Sequence, residues 1–233
     1  MNGTCRAVTV AMRKSDVDLR LAVLRELKWD TRVDHCGLGV AVSAGVVTLT
    51  GSVASWATKM AAQEAAHRVA DVLDVTNHIR VEVPGRLAKT DAEIALAVRL
   101  ILEWNTFIPA DRIRCTVSQA WVTLEGDVEF WSHRDDSEAA VRDLVGVHGV
   151  INMIEVKPTR VAALDVETTI AAALERHADR QARRIHLRVE DGRVTLSGSV
   201  SSWPEKQAVV GAVKRTAGVR AIEDRLRVEP RAA

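Results

Sequence analysis

Tyrosine is absent from the 233-residue chain, and two phenylalanines with six tryptophans leave aromatics at 3%. Cysteine is nearly absent too. Cys5, Cys36 and Cys115 form no C-x-x-C pair and share no ligand spacing with histidine. That excludes a disulfide scaffold and a zinc-finger pattern, and Cys36 and Cys115 read as small buried hydrophobes. No run of 18 apolar residues is present, so no membrane-spanning helix is expected. Neither sign of charge dominates: 32 basic and 31 acidic residues give a net charge of +1, which excludes nucleic-acid binding by bulk charge. Hydrophobic residues at 47% and charged residues at 27% exclude wholesale disorder and describe an ordinary globular chain.

Signatures of catalysis are also missing. There is no P-loop, no G-x-S-x-G and no complete dinucleotide fingerprint, because Gly37-Leu38-Gly39 lacks its third glycine and a following helix. His133-Arg134-Asp135 echoes a kinase catalytic loop without its asparagine or the companion motifs. The seven histidines share no repeated ligand spacing, and His35-Cys36 would hold a metal only with distant partners. No catalytic residue, cofactor or metal is expected. The opening MNGTCRAVTVAMRKSD has a short apolar stretch followed at once by Arg13 and Lys14, where a signal peptide needs small residues. It reads as a non-cleaved tail, and a cytoplasmic location is the expectation.

What the chain does have is one unit written three times. Val17–Val83, Ala92–Pro158 and Leu164–Pro230 align without a gap. Val47-Thr48-Leu49-x-Gly51-x-Val53-x-x-Trp56 recurs as Val122-Thr123-Leu124-x-Gly126-x-Val128-x-x-Trp131. It recurs again as Val194-Thr195-Leu196-x-Gly198-x-Val200-x-x-Trp203. Repeats over residues 14–84, 89–158 and 162–230 follow.

Each repeat predicts a helix (Asp16–Trp29, Asp91–Trp104, Asp165–His177), opened in the second repeat by the capping box Thr90-x-x-Glu93. A strand with period-two alternation comes next, then a tight turn, which is Asp191-Gly192 in the third repeat. The second strand carries the repeated motif, and its glycines Gly51, Gly126 and Gly198 mark a bulge or a close backbone approach. A second helix begins near the tryptophan, with Ser202-x-x-Glu205 as another capping box, and a last strand closes the unit. The fold class is α+β: three tandem αββαβ repeats, each a small mixed three-stranded sheet with two helices on one face. Three beads packed or semi-packed in a row is the expected arrangement.

The motif V-x-V-x-x-G-x-V-T-L-x-G-x-V, followed after a helix by G-V-x-x-V-x-N-x-I-x-V, resembles the BON domain. It stands in Val40-x-Val42, Gly45 and Val47-Thr48-Leu49-x-Gly51-x-Val53, and in Gly146-Val147-x-x-Val150-x-Asn152-x-Ile154-x-Val156. The resemblance covers nearly the whole chain. It implies an αββαβ fold, no enzymatic activity, and attachment to phospholipid membranes or envelope partners, as in the osmotically inducible OsmY-like proteins. It also implies a stress-response setting and, as an alternative location, the periplasm.

Charge is unevenly shared among the aligned segments. The first repeat has a net charge of −1, the second −5 (6 basic, 11 acidic) and the third +2 (12 basic, 10 acidic). Arg180, Arg183, Arg184, Arg188 and Arg193 are therefore the candidate anion-facing residues, since an anionic leaflet attracts such clusters. The competing reading is a solvated charged face. Trp56, Trp131 and Trp203, and likewise Trp29 and Trp104, read as packing over the ends of their own cores. Trp121, in a hairpin turn beside Phe130-Trp131, is a candidate contact point. The function expected is a non-enzymatic binding protein engaging an anionic phospholipid surface or an envelope protein. The alternatives are a cytoplasmic protein-interaction or chaperone-like protein, and a small-ligand or ion sensor.

Overall fold

The computed structural model describes residues 15–158, Thr168, Ile170 and 185–229. In repeat one, α1 (Asp16–Trp29) leads into the hairpin β1 (Gly39–Ser43) and β2 (Val46–Thr50), with β3 (Ser52–Val53) continuing beyond Gly51. Helix α2 (Trp56–Arg68) then crosses to β4 (Asp74–Asn77) and β5 (Arg80–Val81). Repeat two has α3 (Asp91–Trp104), β6 (Ile113–Ser118), β7 (Trp121–Val128), α4 (Trp131–Arg142) and β8 (Gly149–Val156). Repeat three shows β9 (Ile185–Glu190), β10 (Arg193–Val200), α5 (Trp203–Lys214) and β11 (Ala221–Val228). The helix predicted over 165–177 lies outside the described residues except for Thr168 and Ile170, which are helical.

Every three-stranded sheet has the motif strand in its centre, and in repeat one β3 and β5 pair separately beyond Gly51. The motif strand pairs antiparallel with its hairpin partner, Val47 opposite Val42, and parallel with the last strand, Val47 opposite Val75. The crossover helix makes the parallel pairing possible. The core follows from the repetition. Val23, Val98 and Ile170 are equivalent and fully buried, as are the triplets Val47/Val122/Val194 and Leu49/Leu124/Leu196. Each such side chain contributes roughly 1.5–3 kcal/mol.

Two local devices hold the hairpins. The turn residues Ala44 and Gly45 both have positive φ (51° and 81°), and so do Gln119 and Ala120 (52° and 61°). In repeats one and two the carboxylate that begins the first helix receives their backbone amides. Asp16 takes Ala44 N (3.0 Å) and Gly45 N (3.2 Å), and Asp91 takes Gln119 N (2.9 Å) and Ala120 N (2.8 Å). Further along the motif strand, Gly126 (φ 142°) lies so close to the preceding loop that an added Cβ would stand 2.0 Å from the Arg112 carbonyl oxygen. Gly51 meets the Gly37 carbonyl in the same way. The second predicted capping box is displaced by one residue. Ser202 accepts from Glu205 N at 3.4 Å, but the Glu205 carboxylate takes Ser201 N at 2.7 Å. The conserved-looking register absorbs this shift because Ser201 offers its hydroxyl to the same carboxylate.

The repeats form a closed triangle, not a row. Repeats one and two meet through Arg142 and Glu64 (3.3 Å) and through Trp56 and Trp121, whose rings stand 5.9 Å apart. Repeats two and three meet through Lys214 and Asp135 (2.7 Å), with Trp131 packed against both cores. Repeats three and one meet where Trp203 donates its Nε1 hydrogen to the Leu73 carbonyl at 3.1 Å and stacks on His67 at 4.0 Å. So Trp131 and Trp203, and Trp56 with them, serve joints between neighbouring repeats. The reason is their place: each begins a second helix, and the second helices face one another.

Candidate functional site

The arginines singled out in repeat three are placed only in part. Arg180, Arg183 and Arg184 lie outside the described residues. Arg188 is exposed on β9, and its guanidinium holds Glu190 two residues on at 2.5 Å. Arg193 is exposed at the start of β10. Arg225, on the same open sheet face, is likewise engaged by Glu223 at 2.6 Å, which holds that carboxyl below the usual range. The open face of repeat three thus carries two i, i+2 ion pairs. Period-two geometry dictates this, because residues two apart on a strand share a face. Of the four arginines described on this face, Arg188 and Arg225 are neutralised by these pairs, while Arg193 and Arg227 stand exposed beside them.

A different surface stands out on the first helices. On α3, Ile94, Val98 and Leu102 are buried. Leu96, Leu100 and Trp104 start two residues later, about 200° round the helix, and are exposed. Trp104 is 85% exposed and Phe107, just past the helix end, is 75% exposed. Helix α1 repeats the stripe with Val17, Leu21 and Trp29, the last 82% exposed, but Arg25 stands where α3 has Leu100. Trp29 and Trp104 therefore do not pack on their own cores. Their recurrence in two repeats was the misleading signal. The spacing from the buried residues was the informative one: Trp104 follows Leu102 by two, which turns it to the far face.

Repeat two carries a second apolar patch on its open sheet face. Trp121 is opposite Gly149 and covers it, so that a Cβ there would meet the indole at 2.3 Å. Ile151 and Met153 continue the patch along β8, both exposed. The equivalent positions of repeat three are Glu223 and Arg225. Repeat two is therefore the most acidic unit and, among the described residues, the one with the most exposed large apolar side chains, a combination that depends on contact area more than on anion attraction.

A cavity of about 520 Å³ lies at the joint of repeats one and three, between α2 and α5. Met60, Glu64, His67, Trp203 and Gln207 are among its lining residues. Burial pushes the His67 imidazole down from its usual range, while the Asp74 charge pushes it back up. Glu64 is engaged by both Arg32 (3.0 Å) and Arg142 (3.3 Å). Among the described residues no helix is long and apolar enough to cross a membrane.

Comparison with known proteins agrees with this geometry. The BON domain family matches three times, over residues 15–83, 90–158 and 163–230. No curated protein matches the chain. Two solved structures of CdsD, a structural protein of the type III secretion system of Chlamydia trachomatis, are similar at 14% identity. Its C-terminal domain covers 93% of this chain and 100% of its own length with a TM-score of 0.26, and the other structure covers 92% and 93% with a TM-score of 0.27. Two αββαβ units, a third whose described residues run ββαβ with the same central motif strand, and three family matches spanning nearly the whole sequence lead to one conclusion: the chain belongs to the BON domain family, with three BON domains in tandem.

Proposed function

We propose that this protein is a non-enzymatic binding module that attaches to a phospholipid surface through the exposed face of α3, with Trp104 and Phe107 as anchors and Leu96 and Leu100 behind them. The observation that carries the reading is the exposed stripe opposite a fully buried one on the same helix. Tryptophan favours the headgroup layer, and an amphipathic helix lying in that layer buries its apolar face at the acyl boundary. With a net charge of −5 on repeat two, attachment through α3 rests on apolar contact and not on attraction to anionic headgroups. Family membership supports the membrane or envelope association and a stress-response setting. The arginines of repeat three are secondary in this reading.

Co-sedimentation of the full chain with zwitterionic and with anionic vesicles, at low and physiological salt, tests it. Binding to both kinds, nearly independent of salt, is expected. Burying half of a tryptophan's roughly 200 Å² at ~25 cal/mol/Å² is worth about 2.5 kcal/mol, so Trp104→Ala should weaken binding more than tenfold. Absence of binding to either vesicle would overturn the lipid reading and leave a protein partner as the occupant of this face. Salt-sensitive binding to anionic vesicles alone, unchanged in Trp104→Ala, would return the site to the arginines.

A further inference from the structure

We propose that Asp34, His35 and Cys36, on the loop between α1 and β1, bind a thiophilic divalent cation of the zinc class. The carboxylate oxygen, imidazole nitrogen and thiol sulfur of these consecutive residues all lie within 4.8 Å of one another. A tetrahedral ion with bonds of about 2.0–2.3 Å needs ligand atoms roughly 3.3–3.8 Å apart. All three side chains are exposed, so small rotations about their own bonds close the difference without moving the backbone. Cys36 belongs to this exposed loop and not to the core, unlike Cys115, which packs against the core of repeat two. The metal partner that His35-Cys36 needs is thus adjacent, not distant.

The loop is shaped independently of any ligand. Val33 is buried and anchors one side. Cys36 N donates to Asp34 Oδ1 at 3.1 Å, Leu38 N donates to the His35 carbonyl at 3.2 Å, and Gly37 turns the chain with φ 94°. The side chains of His35 and Cys36 take no part in that shape, and Asp34 contributes one carboxylate oxygen to it. Repeat two runs the same loop with Pro109, Ala110 and Asp111, closed by a 3-10 turn over Ala110–Arg112. The corresponding residues of repeat three are Gln181, Ala182 and Arg183. The side chains of His35 and Cys36 make no hydrogen bond to the described protein, so their donors are uncommitted.

The ligand chemistry selects the ion. A thiolate and a carboxylate balance two positive charges, and a neutral imidazole completes the set. Sulfur and imidazole suit zinc and its neighbours and disfavour magnesium and calcium, which take all-oxygen shells. Three protein ligands leave a fourth position for water or an incoming ligand, as in an exchangeable site and not a closed structural one.

Cobalt titration of the full reduced chain tests the proposal, because Co²⁺ adopts the same coordination and reports its ligands by absorption. One Co²⁺ per chain, with a near-ultraviolet sulfur-to-cobalt charge-transfer band that added Zn²⁺ abolishes, is expected. Cys36→Ser should remove the band, while His35→Ala and Asp34→Ala should each weaken binding tenfold or more. Cys115→Ser should leave it unchanged. Cys36→Ser and His35→Ala should melt like the parent chain, whereas Asp34→Ala also loses the bond from Cys36 N and Cys115→Ser alters a partly buried side chain. No sulfur band in the parent, a band retained in Cys36→Ser, or full affinity in both His35→Ala and Asp34→Ala would overturn the site.

Discussion

Asn77 and Asn152 perform one task in repeats one and two. Each accepts the amide two residues on at 3.1 Å and donates to a carbonyl of the second helix, Lys59 or Arg134. Repeat three has Asp224 there, which cannot donate. It still accepts Leu226 N at 2.9 Å, and Lys206 from α5 supplies the missing donor with an ion pair at 3.0 Å. The exchange keeps strand tied to helix by replacing an amide hydrogen with an ammonium. Asp91 is a comparable single point of dependence, since two amides held at positive φ have no other side-chain acceptor. Asp91→Ala should destabilise repeat two by about 1–3 kcal/mol, the range for hydrogen bonds to a charged group. Urea unfolding of the full chain checks this, and a loss below a few tenths of a kcal/mol would show that water caps the turn equally well. Asp191-Gly192 in repeat three tolerates the same turn by its own composition.

At the scale of elements, α1 and α3 each carry two faces, and only one of them supports the fold. Substitutions on the outer face of α3 should therefore leave stability within about 0.5 kcal/mol. Leu100→Ser combined with Trp104→Ser should unfold at the parent midpoint while losing vesicle binding. A large drop in the midpoint would mean that the stripe is packed against something in solution. The helices and hairpins were legible in the sequence because each is set by near neighbours: the helix ends at Asp16 and Trp29, the alternation of β6, the turn at Asp191-Gly192. The i, i+2 neutralisation of Arg188 by Glu190 was legible by the same rule. Exposure of Trp29 and Trp104 could be derived only by setting their spacing against that of Leu27 and Leu102. The joints could not be read at all, because Trp203 finds its partner 130 residues away.

At the scale of the molecule, the three joints share one repeat position, occupied by His67, Arg142 and Lys214, with different chemistry at each. Lys214 lies over Trp131 and pairs with Asp135, and Arg142 pairs with Glu64, whereas His67 stacks on Trp203. The joint between repeats three and one is thus the one built on an imidazole. Burial lowers the His67 pKa in the folded chain, with Asp74 opposing. The neutral form is the one folding prefers. Its contribution is complete above the unfolded value near 6.5 and is lost as pH falls from there through the lowered folded value. Thermal unfolding should show the chain less stable at pH 5 than at pH 7.5, and His67→Phe should flatten that part of the profile. An unchanged profile in His67→Phe would place the acid sensitivity elsewhere.

The contact between the first and last repeats makes the order of the three along the chain a matter of covalent accident. Each unit touches both others, and a linker no longer than residues 84–90 carries the chain from one repeat to the next. A polypeptide re-cut within that linker, with Glu229 rejoined to Ser15 through a segment of similar length, contains every joint described above. Such a circular permutant should fold to the same triangle and keep the stacking of Trp203 on His67, now between units that are consecutive in the chain.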